Sequence, residues 1–464
     1  MTLLLTISRG AIARNMLQNA FYDSVKRRFE KVVIVTPAAH DARFREAFGA
    51  PNVEMVSMPV EQDTFWDTLV TRLYKFLIFN ESTVGRGLYW YIEISGRLAW
   101  IFKLVKFTAI RMVFQPLSHV SWARRALQRL DYLFLQKQAV AHYKQLFEKY
   151  QPSVVFATNI IEEEAIIKAA RRQQIPVFAM PKTWDNPSKR YFRAKADKVF
   201  VWSPYMKEQM MRLQDYRDTE VEVMGIPQFD YYTDRSRHES REDFCLRVGL
   251  NPKKKIICFG SEGKVMLSDV PIAEMLSDFV DKRMLCQDCQ LFIRPHFGYK
   301  NDEKKFGSLA GKPGVVIDTY NHPSKGFRDE WDYSTGHMNH FLSVVRHADV
   351  LVNTGSTLTL DAAALGTPTV LITFDGYEKK PFHASSARWY VCDYYTELMR
   401  YRPALVARDP ESLRETINTL LRESNRLADS QKAVCARLCF KLDGKSGERY
   451  ADAVACGAQA HYGK

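Results

Sequence analysis

"NTGSTLTLDAAALGTPTVLITFDG", Asn353 to Gly376, decides how the rest of the chain is read. It begins with small hydroxyl residues and ends in an apolar run. Just ahead of it Val350, Leu351 and Val352 form an apolar run that stops at Asn353, as a short buried strand does. Gly355 then permits a tight turn and close backbone approach. From Ser356 onward, "STLTLDAAALG" is rich in helix formers and ends in Gly366 with Pro368 just beyond, which caps and stops a helix. "TPTVLITF" supplies the next strand. The stretch is a strand, loop, helix, strand unit. Its helix start at Gly355, Ser356 and Thr357 offers N–H groups, a partial positive charge and hydroxyl donors to an anion such as a phosphate. Asp361 lies one turn further in, within reach of a ribose diol. The competing reading makes Ser356 and Thr357 a plain helix cap.

The same theme recurs along the chain. "MTLLLTI", "KVVIVTP", "SVVFAT", "IPVFAMP" and "KVFVWSP" in the first half are short continuous apolar runs, as are "KKIICFG", "QLFIRPH", "GVVIDT", "DVLVNTG" and "PTVLITF" in the second. Runs of this kind suit parallel strands buried on both faces. They predict an α/β protein of two doubly wound halves, changing over near the polar "DRSRHESRED". The halves are read as residues 1–235, with a helical, aromatic and basic insertion over about 65–145, and 236–435. A terminal helix within 436–464 is read as packing back on the first half. At 464 residues the chain is too long for one ordinary core.

Composition narrows the classes. A hydrophobic content of 46% with 12% aromatics belongs to a folded globular protein. Lys and Arg number 66 against 53 Asp and Glu, a net charge of +13 that favours anionic partners. The eight Cys lack paired spacing, which argues against a secreted disulfide framework. Cys286 and Cys289 form a lone "CQDC" without the second pair a zinc site would need. No signal peptide is evident at "MTLLLTISRG", so the expected compartment is the cytoplasm.

In open α/β sheets ligands sit beyond the carboxyl ends of strands, so the polar residues following each run are the candidate site. In the second half these are Gly260, Ser261, Glu262 and Gly263, where the "SEGK" loop is either a phosphate contact through Gly263 or Lys264 or an ordinary turn, then Arg294 and His296, then Asn353, Gly355, Ser356, Thr357 and Asp361. In the first half they are Ser8, Arg9, Gly10 and Arg14, then Thr183, Trp184, Asp185 and Asn186. Two such sheets facing across a cleft would bring two substrates together and exclude water.

"VWSPYMKEQM", "VEVMGIPQFDYY", "FIRPH", "HADVLVNTGSTLTLDAAALGTPTV" and "LDGKSGERYADAV" resemble the GT-B glycosyltransferases of bacterial surface-polysaccharide synthesis. They are also similar to the related CDP-glycerol glycerophosphotransferases and UDP-N-acetylglucosamine 2-epimerases. The resemblance covers roughly residues 150–455 and implies two Rossmann-like domains in the GT-B arrangement. It implies that Gly355, Ser356 and Thr357 hold the donor diphosphate, with Gly260, Ser261, Glu262 and Asn353 beside it, and that Asp361 binds ribose. Arg294 and His296 match an "RPH" element whose histidine is thought to act on the donor phosphate, and a guanidinium there would stabilise leaving-group charge. The bland alternative pairs Arg294 with a carboxylate and makes His296 a loop cap. "KTWDNPSK" is similar to the "SWDN" element of related polysaccharide transferases. Many CDP-glycerol enzymes carry a tryptophan-histidine-glycine motif there, so that base is absent. Asp185 becomes the candidate proton acceptor, or else a turn former. Arg9, Gly10, Arg14, Trp184 and Asn186 are read as acceptor-binding.

Residues Phe65 to Trp122 differ in texture. Trp66, Trp90, Trp100 and Trp122 are interleaved with Arg72, Lys75, Arg86, Arg97, Lys103, Lys106 and Arg111. The segment is too interrupted by charge to span a bilayer. It fits either a helical cover over the first sheet or a helix lying on an anionic membrane surface. No nucleic-acid recognition module is visible.

The expectation is a glycosyltransferase that moves a sugar from a nucleotide-sugar donor to a glycan or lipid-linked glycan in capsule or O-antigen synthesis. No cofactor is expected beyond the nucleotide-sugar substrate, and no metal, since no "DxD" pair stands at a strand end. The alternatives are a glycerol- or polyol-phosphate transferase, a sugar-nucleotide epimerase, and a non-catalytic donor-binding subunit.

Overall fold

Each of the ten apolar runs is a strand in the computed structural model, which describes residues 1–59, 64–84, 97–263, 266, 268–380, 382 and 385–462. Trp90, Arg86 and Lys264, and the side chains of Arg97, Trp100 and Lys103, lie outside the described residues. The chain divides into two units, one of Met1–Asp230, Ser324–Arg328 and Asp443–Lys464, the other of Tyr231–Pro323 and Asp329–Leu442.

The first unit holds a sheet of seven parallel strands: β1 (Thr2–Thr6), β2 (Lys31–Thr36), β3 (Val53–Ser57), β4 (Val154–Ala157), β5 (Val177–Ala179), β6 (Lys198–Val201) and β7 (Val221–Val223). Their spatial order is β3-β2-β1-β4-β5-β6-β7. The second unit holds β8 (Lys255–Gly260), β9 (Cys289–Arg294), β10 (Val315–Ile317), β11 (Val350–Asn353), β12 (Thr369–Ile372) and β13 (Leu405–Ala407), ordered β10-β9-β8-β11-β12-β13 and again parallel. Both are Rossmann-like α/β sheets. The strands that the apolar runs do not reveal are β3, β7 and β13, and all three are sheet edges with mostly half-buried residues. An edge strand covered on fewer sides does not need a continuous apolar run.

Helices fill the crossovers. In the first unit these are α1 (Gly10–Leu17), α2 (Ala20–Arg28), α3 (Ala42–Phe48), α4 (Phe65–Leu73), α5 (Arg97–Ser118), α6 (Ser121–Phe134), α7 (Lys137–Tyr150), α8 (Glu164–Arg172) and α9 (Pro204–Leu213). The second unit carries α10 (Arg241–Val248), α11 (Asp269–Asp281), α12 (Thr335–His347), α13 (Leu358–Leu365), α14 (Asp393–Arg400), α15 (Pro410–Arg422) and α16 (Ala428–Leu438). Its core joins Ile257, Leu291, Val352 and Val370 of the sheet to Ile272 and Leu276 of α11 and Leu413 and Ile417 of α15.

The last helix, α17 (Ser446–Tyr462), belongs to the first unit and packs on α2. Asp230 accepts hydrogen bonds from the Ser446 N–H at 2.9 Å and the Gly447 N–H at 2.6 Å, so a distant carboxylate caps the helix start. Tyr450 packs against both Phe156 and Phe200, which also touch each other. The "GIPQFD" and "GKSGERY" stretches that carry much of the family resemblance are therefore a structural clasp.

Helices α4 to α6 share a small core of Tyr74, Leu77 and Ile78 with Tyr191 from the loop after β5 and Leu213 at the end of α9, and Phe114, Leu117 and Leu127 pack against it. A buried ion network pins them. Arg193 donates to Asp131 at 2.8 Å and to Asp67 at 3.2 Å, while Lys168 Nζ lies 2.6 Å from Asp131. Each of these buried charges is paired, which offsets the cost of taking it out of water.

Candidate functional site

Strand order locates the site before any side chain is considered. In the second unit the winding reverses between β8 and β11, and ligands of doubly wound sheets sit in the crevice at that switch. Register places Gly260 of β8 opposite Arg294 of β9 on one side and opposite Asn353 of β11 on the other. Three residues far apart in sequence thus form one row across adjacent carboxyl ends. The loop to α13 rises directly from that row. Gly355 has φ +49, and a Cβ there would stand 3.2 Å from the Tyr395 ring and 3.4 Å from the Tyr390 ring. Only glycine suits both the backbone and the space.

A polar clamp fixes the neighbouring loop. The Ser261 hydroxyl donates toward Asp269 at 2.8 Å and Asp302 at 2.7 Å, and Lys305 Nζ reaches Ser261 at 2.9 Å, Asp269 at 2.9 Å and the Gly263 carbonyl at 3.1 Å. Asp302 also accepts the His296 backbone N–H at 2.8 Å. One ammonium therefore ties the β8 loop to the β9 loop.

Above the clamp stand three ionisable groups with unusual states. Arg294 is only 7% exposed, and its guanidinium packs over the rings of Phe341 at 4.8 Å and Phe297 at 5.3 Å. Among the described residues no carboxylate forms an ion pair with it; Asp318 is bound instead to His340 at 2.9 Å. Burial pulls the Arg294 pKa down, with Asp318 pushing back. A guanidinium does not lose its proton in a protein, so this is a buried cation with no bound counter-charge. The alternative that pairs Arg294 with a carboxylate is not what is found.

Burial, reinforced by Arg294, pushes His296 down to about 4, so its ring is neutral near pH 7. The Gly298 N–H donates to Nδ1 at 3.2 Å, which leaves the ring proton on Nε2. Glu262 goes the other way: burial raises it to about 8, against a hydrogen bond from Ser356. Near neutral pH this carboxyl is mostly protonated and can donate.

Several expected donor contacts have other employment. Ser261 is held by the clamp. Asp361, inside α13 and 5% exposed, accepts from the Tyr232 hydroxyl and so ties α13 to the Tyr231–Tyr232 turn. Asn353 is fully buried, with Thr359 Oγ1 3.3 Å from its Oδ1, and the Cβ space of Gly260 is filled by Leu358 at 2.5 Å. Both serve to seat α13. Ser356 is half-buried and Thr357 exposed at the helix start, and Thr357 makes no side-chain cap. Ser356 and Thr357 remain at the start of α13, Ser356 bonded to Glu262 of the β8 loop, while Arg294 and His296 stand at and just after the end of the adjacent β9.

The first unit distributes its candidates along β1, β4 and β5, which are adjacent. Arg9 forms a two-pronged pair with Glu162, at 2.7 Å on both contacts, and this partner holds Glu162 in its charged form against burial. Gly10 opens α1 and is buried. Arg14 is buried, donating to Asn15 at 3.0 Å and Gln228 at 3.3 Å. Trp184 is 2% exposed. Asp185 is paired with Lys189 and accepts the Thr183 hydroxyl at 2.6 Å, while Asn186 closes the same turn onto Thr183 at 3.1 Å. These contacts place Asp185 in the turn that the alternative reading gave it.

Glu162, Lys305, Asp302, Tyr390 and Tyr395 were not legible as site residues. Lys305 sits in "NDEKKFG", which reads as a solvated charge run, and its partners lie up to 44 positions away.

Comparisons place this geometry among known proteins. The family model for CDP-Glycerol:Poly(glycerophosphate) glycerophosphotransferase matches residues 178–455. No curated protein matches at the sequence level. Among solved structures, a UDP-N-acetylglucosamine 2-epimerase assignment from Listeria monocytogenes superposes with TM-score 0.58 at 11% identity, over 99% of this chain and 97% of that one. A glycosyltransferase from Rickettsia africae gives 0.53 at 9% identity, covering 98% of both. The Methanocaldococcus jannaschii UDP-GlcNAc 2-epimerase, solved with UDP-GlcNAc and UDP, gives 0.54 at 12% identity over 98% of this chain and 100% of that one. At such identities the likeness is one of fold.

Proposed function

The chain belongs to the CDP-glycerol:poly(glycerophosphate) glycerophosphotransferase family, and from that premise we propose that it transfers a glycosyl group from a nucleotide-sugar to a glycan or lipid-linked glycan acceptor in surface-polysaccharide synthesis. The observation that carries this reading is the buried Arg294, which pairs with no carboxylate among the described residues and stands at the end of β9, next to Gly260 of the strand that borders the sheet's switch point. A desolvated cation without a counter-ion is costly until an anion arrives, and a diphosphate leaving group is such an anion. As the sugar–oxygen bond breaks, negative charge grows on the phosphate oxygen, where Arg294, the Nε2–H of His296 and the protonated Glu262 would stabilise it. The cationic role of a metal would fall to Arg294. Nucleotide donors place the reaction on the cytoplasmic side of the membrane.

A second reading is favoured by the family match: transfer of glycerol phosphate or another polyol phosphate. Product identity separates the two. Glycosyl transfer from a diphosphate donor breaks the bond between sugar and diphosphate and releases a nucleoside diphosphate. Polyol-phosphate transfer breaks the bond between the two phosphates and releases a nucleoside monophosphate. Incubating the protein with UDP-, GDP- and CDP-linked donors and acceptor extract, then identifying the released nucleotide, tests the proposal. A nucleoside diphosphate supports it, and a monophosphate replaces it with the second reading. Conversion of the nucleotide sugar alone would mean an epimerase, and binding without turnover a non-catalytic subunit; either result overturns it.

A further inference from the structure

We propose that the outer face of α5, with α4 and α6 beside it, is a docking surface for an anionic lipid bilayer. Helix α5 has two apolar faces. Its inner stripe includes Phe114 and Leu117, which pack on the core beneath. Its outer stripe is Leu98, Ile101, Phe102, Val105, Met112 and Val113, all exposed, with Leu98 and Phe102 each at 76%. At 3.6 residues per turn these positions fall within about 120° of arc. Helix α6, which packs on α5, exposes Trp122, Leu130 and Phe134, Trp122 at 70%, and α4 exposes Phe65 and Trp66. An apolar surface of this extent on a water-soluble chain marks an interaction site.

Charge selects the occupant. Among the described residues from 64 to 137, the exposed cations are Arg72, Lys75, Lys106, Arg125, Arg129 and Lys137, and the one exposed acid is Glu81. The other acids, Asp67 and Asp131, point inward and are neutralised by Arg193 and Lys168. The outward charge is therefore almost wholly positive, and apolar residues flanked by exposed cations match the acyl boundary and headgroups of an anionic leaflet. A second copy of this chain would set like charge against like. No described helix is long and apolar enough to cross a membrane, so contact is with the surface. This inference stands apart from the transfer reading.

The test is flotation of the full chain with vesicles of equal parts phosphatidylglycerol and phosphatidylcholine, and with phosphatidylcholine alone. Binding is expected to the anionic vesicles at low salt and to fall steeply as salt rises. The double variants Phe102→Ser/Val105→Ser and Arg125→Glu/Arg129→Glu change exposed residues only. Each is expected to lose about tenfold in vesicle partition with unchanged melting temperature and nucleotide affinity. No flotation of the wild type at low salt, equal binding to both vesicle types, or variants that float like wild type would overturn the proposal. So would a wild-type dimer in sedimentation that the apolar variant dissociates without any vesicle binding.

Discussion

At Glu262 the chain keeps a carboxyl protonated in the folded state, and this has a measurable direction. Its folded pKa is about 8 against an ordinary 4.5. Below pH 4.5 both states hold the proton; between 4.5 and 8 the unfolded chain releases it and the folded chain does not, so stability is lost as pH rises through that window. Glu262→Gln, which mimics the protonated group, is expected to melt like wild type near pH 4.5 and to gain on the order of 1–3 kcal/mol by pH 8. Equal melting temperatures at both pH values would show that the carboxyl is ionised and solvated. His296 runs in the opposite sense, with a folded value of about 4 against 6.5. The unfolded chain takes up a proton below 6.5 that the folded one refuses, so stability falls as pH drops from 6.5 toward 4. Replacing His296 with Gln is expected to flatten that part of a denaturation-versus-pH curve; an unaltered slope would remove the burial argument.

Two loops and the clamp between them set what the site elements can do. Ser356 and Thr357 at the start of α13 are expected to contact a donor phosphate, so the double Ala variant should lose roughly 1–3 kcal/mol of nucleoside diphosphate affinity by calorimetry while melting normally. Unchanged affinity would reject the phosphate role of the loop. Lys305 is a different case, because Asp269 and Asp302 are both nearly fully buried against it. Lys305→Met would strand two carboxylates and is expected to cost about 3 kcal/mol of stability, at the low end for a broken buried pair since Lys305 keeps some water contact. A melting temperature within error of wild type would mean that the clamp is not needed. The strand–loop–helix units themselves were legible because continuous apolar runs, Gly355, Gly366 and Pro368 punctuate them locally. The clamp was not, since a lysine in "NDEKKFG" announces nothing about carboxylates folded onto it. Edge strands such as β13 escaped because Leu405 and Val406 are only half-buried and leave a short pattern.

For the molecule as a whole, the two doubly wound sheets and the site at the second switch point follow from strand spacing and from which residues trail each strand. The row of Arg294, Gly260 and Asn353 could be anticipated, because all three end apolar runs. Which partners the flanking polar groups take within the fold could not: Asp361 bonds to Tyr232, Ser261 to Asp269 and Asp302, and Asp185 to Thr183 and Lys189 of its own turn. The claim on which the functional account rests is that Arg294 is an unpaired cation kept for the leaving phosphate. It is tested most directly by steady-state turnover of Arg294→Ala with the donor the wild type accepts, measured alongside melting temperature. The change breaks no ion pair among the described residues and removes an uncompensated buried charge, which offsets the packing lost against Phe341 and Phe297, so the melting temperature should shift little, while kcat should fall on the order of a hundredfold or more, as for loss of one transition-state donor. Near-normal turnover, or a collapse of the melting temperature that accounts for the lost activity, would contradict it.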